Sequence, residues 1–180
     1  MSRSFGLIAA LAALVFTSVA VAATTARIIG TPHDDTIVGT AHSDGIAALA
    51  GNDRVNALTG DDWVQAGPGD DNAYSNEGND RVYGGEGDDT IHGGDGDDWV
   101  DGGPGNDHVW VGRGADRELG GAGDDVMHAL ANDNQPDFVD CGPGHDVVFL
   151  NVREPRDRAI NCEIVNRIVP SPEDEAEDNG

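Results

Sequence analysis

An aspartate returns every nine residues through most of this chain: Asp35, Asp44, Asp53, Asp62, Asp71, Asp80, Asp89, Asp98, Asp107, Asp116 and Asp125. After a three-residue insertion the series resumes at Asp137 and Asp146. One Gly-x-Asp alone reads as a turn whose side chain caps its own backbone. Thirteen in one register read as an array of hard oxygen donors. Calcium suits such donors, because it takes six to eight oxygens and mixes carboxylates with backbone carbonyls. Magnesium demands a tighter octahedron and keeps its waters, so it fits less well. Zinc prefers His and Cys ligands. An EF-hand around Asp95-Gly96-Asp97 fails, since the D-x-D-x-D-G run and the glutamate at loop position twelve are missing.

The elements that must position these carboxylates follow from the same period. Cut from Gly30, the units begin at 30, 39, 48, 57, 66, 75, 84, 93, 102, 111, 120, 129 and 141, and aspartate is sixth in each. The fourth residue is glycine in nine consecutive units, from Gly51 to Gly123. The eighth is apolar in eleven units, with Ala73 a small substitute and Glu118 an exception. Glycines permit the positive backbone angles of a sharp turn and bring carbonyl oxygens close together. The last three residues make a short strand whose middle side chain points inward. Two units form one coil of eighteen residues, so a unit stacks on the one two places earlier, about 4.8 Å away.

Units such as GGEGDDTIH (84–92), GGDGDDWVD (93–101) and GGPGNDHVW (102–110) match the pattern G-G-x-G-x-D-x-U-x. In this the sequence resembles the RTX, or haemolysin-type, nonapeptide repeats, over about two thirds of the chain. The resemblance implies an all-β fold, a parallel β-roll, with several Ca2+ ions as its cofactors. The candidate ligands are Asp53, Asp62, Asp71, Asp80, Asp89, Asp98, Asp107, Asp116 and Asp125, with carbonyls of loop glycines such as Gly85, Gly87, Gly94, Gly96, Gly103 and Gly105. Pairing each of the nine complete loops with the loop two units on gives seven candidate sites. His33 and His42 replace the fourth-position glycine in the first two units, which weakens the expectation there.

Charge narrows the partners. The 180 residues carry a formal net charge of −24, with ten arginines and no lysine. No basic face exists to bind nucleic acid or an anionic membrane. Either the chain stays a self-repelling coil or something positive orders it.

Met1–Ala23 has a basic start at Arg3, an apolar run from Leu7, and small residues suited to a signal peptidase at its end. It reads as a Sec signal peptide, so the mature chain is expected to be secreted, extracellular and without a transmembrane segment. Export permits Cys141 and Cys162, the two cysteines, to form a disulfide. The remaining divisions are a lead-in at 24–29, the roll at 30–149, a C-terminal cap at 150–169 and an acidic, disordered tail at 170–180.

Successive units alternate between two sheets, so outward residues form separate ladders. One reads Trp63, Arg81, Trp99, Arg117, Phe138, and the other Tyr74, His92, Trp110, His128, Phe149. Such ladders serve either to brace solvent-facing sheets or to offer an aromatic platform to a glycan or cell-surface partner. The expected function is a calcium-binding repeat protein with a structural or cell-envelope role. The alternatives are an adhesion or carbohydrate-binding module, or an accessory module of an RTX enzyme. Catalysis is not expected, because G-x-S-x-G and H-E-x-x-H are both absent.

Overall fold

The computed structural model describes residues 25–171. The signal peptide expected at Met1–Ala23 and nearly all of the acidic tail lie outside the described residues. The rest is built from sixteen short strands. The first sheet takes the odd-numbered strands: β1 (Arg27–Ile29), β3 (Gly45–Ala47), β5 (Trp63–Pro68), β7 (Arg81–Glu86), β9 (Trp99–Pro104), β11 (Arg117–Ala122), β13 (Phe138–Asp140) and β15 (Arg158–Ile160). The second takes the even-numbered ones: β2 (Thr36–Val38), β4 (Arg54–Asn56), β6 (Asn72–Glu77), β8 (Thr90–Asp95), β10 (His108–Arg113), β12 (Val126–Ala129), β14 (Val147–Asn151) and β16 (Ile164–Ile168). Every neighbouring pair is parallel, and the register across the repeats is eighteen residues, as in Val82↔Val100 and Ile91↔Val109. The chain is therefore a parallel β-solenoid of eight coils.

The thirteen units account for β2 to β14. Three further strands lie outside these units. Arg27–Ile29 of the lead-in pairs with β3, and residues 158–160 and 164–168 add β15 and β16 to the same two sheets. The central strands are also longer than three residues. From β5 to β11 they run to six, because the first three residues of the next unit also pair, as in Gly103↔Gly121.

The core is thin. Each strand contributes its eighth-position side chain, so Val64, Val82, Val100 and Val139 face Val55, Ile91, Val109, Met127 and Val148 from opposite sheets. First-position residues fill the remaining space, among them the small, buried Ala48, Ala57, Ala66 and Ser75. The Ser75 hydroxyl donates to the Gly93 carbonyl at 2.7 Å.

Glu118 is the exception in this core. It is fully buried and stands in register between Val100 and Val139. A carboxylate in an apolar stack carries a desolvation penalty that a valine does not. Glu118→Val should therefore stabilise the calcium-saturated protein by about 1–3 kcal/mol. A higher melting temperature checks this, and a lower one would show that the interactions of the carboxylate outweigh the cost of its burial.

The outward ladders are stacked columns. In the second sheet Tyr74, His92, Trp110, His128 and Phe149 stack with centroids 4.7, 4.6, 4.8 and 4.9 Å apart and planes within 18°. In the first sheet the Arg117 guanidinium lies 4.8 Å from the Trp99 ring centre and 5.0 Å from that of Phe138. Trp63 leans instead on Tyr83 of the next coil, 6.2 Å away. The faces of the inner rings are spent on one another, and such contacts brace neighbouring strands.

Candidate metal centre

The turns between strands form two edges. Each sixth-position aspartate sits at the end of a turn, buried to within a few per cent of its surface from Asp44 to Asp146. From Asp53 onward its Oδ1 accepts the backbone N–H of the aspartate one coil earlier, and that of Asp44 accepts the Ala26 N–H. On one edge Asp53 bonds to Asp71, Asp71 to Asp89, Asp89 to Asp107 and Asp107 to Asp125 in this way, at 2.7–2.8 Å. On the other edge the series runs Asp44, Asp62, Asp80, Asp98, Asp116, at 2.7–2.8 Å. Half of each carboxylate is thus structural, and it ties one coil to the next.

In the first two units Oδ2 of Asp35 and Asp44 accepts the N–H of Thr31 and Thr40; further along, the other half stands without a hydrogen bond in most units. Oδ2 of Asp53, Asp62, Asp71, Asp80, Asp89, Asp98, Asp107, Asp116, Asp125 and Asp146 is buried without a hydrogen bond. A buried polar atom left unpaired is costly, and a charged one more so. Burial accordingly pushes these carboxyls up. Asp98 and Asp89 rise to about 8, Asp62 and Asp107 to about 7, and Asp71, Asp80 and Asp125 to about 6. Asp116, beside the buried Glu118 and flanked by Asp98 and Asp137, rises to about 10, again mainly through burial.

The glycines supply the second set of oxygens. Gly85, Gly94 and Gly103 hold the second position and Gly87, Gly96 and Gly105 the fourth, all with positive φ. The carbonyl oxygen of the equivalent residue one coil earlier points at each: Gly67 at Gly85, Gly69 at Gly87, Asn76 at Gly94, Gly78 at Gly96. Rows of carbonyl oxygens therefore run along each edge beside the carboxylates. Among the described residues no three His, Cys, Asp or Glu side chains gather round one point. A cation on these edges would draw on one or two carboxylates and complete its shell with main-chain oxygen, which is the donor mixture calcium takes. The residues present fit that ion.

Three features of the edges escaped the sequence reading. Asp157 and Glu163 continue the two aspartate series past the last unit, accepting the N–H groups of Asp137 at 3.2 Å and Asp146 at 2.8 Å. The D-x-U signature of Asp157-Arg158-Ala159 was the available signal. The fifth position forms a second ladder, in which Asp70 accepts from Asp88 N–H at 3.1 Å and Asp88 from Asn106 N–H at 2.8 Å. It runs opposite to the first, so each turn is held from both neighbours. Asp or Asn at the fifth place of most units was its signal. Finally, Leu49, Leu58 and Asn76 adopt the positive φ of the second position without being glycine.

The Cys141–Cys162 disulfide joins the last two turns of the Asp53 edge, with Cα atoms 5.2 Å apart.

A family model described as RTX calcium-binding nonapeptide repeat (4 copies) matches residues 29–64, 47–82, 56–91, 83–118 and 104–136. The chain belongs to the RTX calcium-binding nonapeptide-repeat family. No curated protein matches it. The matched residues take in the RTX turns with the full glycine pattern, while the coils from β13 onward continue the solenoid beyond them.

Proposed function

We propose that this RTX chain is an exported calcium-binding protein whose roll closes on several Ca2+ ions outside the cell and serves a structural, cell-envelope role. The observation that carries the reading is the file of buried Oδ2 atoms without partners, beside rows of glycine-loop carbonyls. Bound calcium would supply the positive charge that lets these carboxylates stay ionised while buried. Asp53 to Asp125 would hold the ions, and their Oδ1 atoms would meanwhile keep the coils in register. Seven divalent ions bring fourteen positive charges against a net charge of −24. Because ions bind only the closed roll, binding energy becomes folding energy. At low cytosolic calcium the chain stays open for export, and at roughly millimolar calcium outside it closes.

The glycan-binding alternative draws on the aromatic ladders. Sugar rings pack on free aromatic faces, and the inner rings of the second-sheet column cover each other, which favours bracing.

Native mass spectrometry of the processed chain at saturating calcium tests the proposal. Several ions, near seven, are expected, and Asp98→Asn should lower the count. A chain that carries no calcium under these conditions would end the reading.

A further inference from the structure

The insertion in the unit at 129 and the segment after β14 meet on the edge that carries Asp116 and Asp137. Neither has an RTX glycine turn: 129–137 reads ALANDNQPD and 151–157 reads NVREPRD. The second lies wholly beyond the matched residues. Here the carbonyl rows give way to side-chain carboxylates.

Glu154 is 3% exposed and Asp157 4%. Each uses one oxygen. Glu154 Oε1 accepts the Asn134 N–H at 2.7 Å, and Asp157 Oδ1 accepts the Asp137 N–H at 3.2 Å. The other oxygen of each, Glu154 Oε2 and Asp157 Oδ2, is buried with no hydrogen-bond partner. The two residues share one tight turn, in which the Asp157 N–H donates to the Glu154 carbonyl at 3.3 Å.

The neighbouring groups give these two oxygens no hydrogen bond, although the Arg167 guanidinium attracts the Asp157 carboxylate. Asp133 spends both oxygens on the N–H groups of Gly114 and Gln135. Arg156 donates to the Asn134 carbonyl, and Arg167 to the Asp157 carbonyl at 3.2 Å. Both arginines therefore donate these hydrogen bonds to main chain. Two buried carboxylate oxygens in one turn, neither with a hydrogen bond, suit a cation with oxygen preference.

The geometry points to an additional calcium site outside the repeats, held by Glu154 Oε2 and Asp157 Oδ2 and completed by main-chain carbonyls or water. It rests on the calcium reading of the roll and extends it to the final coil. The disulfide closes that coil on the Asp53 edge, and this ion would close it on the other.

Glu154→Gln with Asp157→Asn tests it, since both amides keep the oxygen that accepts the backbone N–H and lose the charge. Ions are counted by native mass spectrometry in CaCl2, with circular dichroism to report the roll. The expected result is a full β signal and one ion fewer than wild type. An unchanged ion count with the roll intact overturns the site and leaves the repeat reading standing. A wild-type chain without bound calcium defeats both. Should the double variant fail to fold, Glu154→Gln alone must still lose one ion, and an unaltered count there also overturns the site.

Discussion

Gly94→Ala should raise the calcium concentration needed to fold the roll by more than tenfold, or prevent folding altogether. Gly94 sits at φ +102, where a side chain is strained by about 1–3 kcal/mol. A Cβ there would also collide with the Asn76 carbonyl, and would lie 2.7 Å from both the carbonyl carbon and the Cα of Asn76. All of these atoms are main chain, so no flexible side chain can yield. Gly94 pairs in register with Asn76 on one side and Gly112 on the other, and relief would part the coils. Parting them would separate the oxygens that an ion must bridge. About 1.4 kcal/mol is tenfold in an equilibrium constant, and strain and collision together exceed that. Gly45→Ala is the control. Its φ is ordinary, its Cβ would meet the Ala26 carbonyl at 3.9 Å, and its calcium midpoint should stay near wild type. Equal midpoints for both variants would show that the turn glycines do not set coil spacing.

Removing calcium should make the fold depend on pH in the sense opposite to ordinary acid denaturation. Carboxyls in an open chain lose their protons near 3.9. In the closed, metal-free roll burial raises Asp71, Asp80 and Asp125 to about 6, Asp62 and Asp107 to about 7, and Asp89 and Asp98 to about 8. Between about pH 4 and pH 8 the folded form therefore holds more protons than the unfolded one, and its stability falls as pH rises. In chelator, lowering the pH from 8 to 5 should restore β structure measured by circular dichroism. In calcium the same protons compete with the ion, so the midpoint concentration should increase as pH falls from 8 to 6. A chelated chain whose signal does not change between pH 8 and pH 5 would show that the buried aspartates do not control closure.

Much of the fold was legible because its logic is one-dimensional. The return of Asp98 and its equivalents every nine residues, with Val100 two places on and Gly96 two places before, specifies turn, inward residue and spacing at once. Every unit can be read from its neighbours. Legibility ended where that local code was replaced by something equivalent. Leu49 and Leu58 stand at a glycine angle without being glycine. Glu163 takes an aspartate's place with a longer arm, and Asp157 follows a turn with no glycine in it, so β15 and β16 were not counted as units. At the candidate site, the repeat pattern picks out the carboxylates and turn glycines that line the two edges. It could not divide the labour within each carboxylate. That Oδ1 of Asp98 would bond to the N–H of Asp80 while Oδ2 stayed unpartnered depends on a coil offset of a few ångströms, which only the stacked structure displays.

The central claim is that divalent ions close an acidic solenoid which cannot close by itself while its buried carboxyls are ionised. Far-ultraviolet circular dichroism of the processed chain at pH 8 tests it most directly, following a titration with calcium from excess chelator and a parallel one with magnesium. The account predicts an open-chain spectrum in chelator, a cooperative gain of β signal with calcium, and a much weaker response to magnesium. A full β spectrum in chelator, unaltered by either ion, would contradict it.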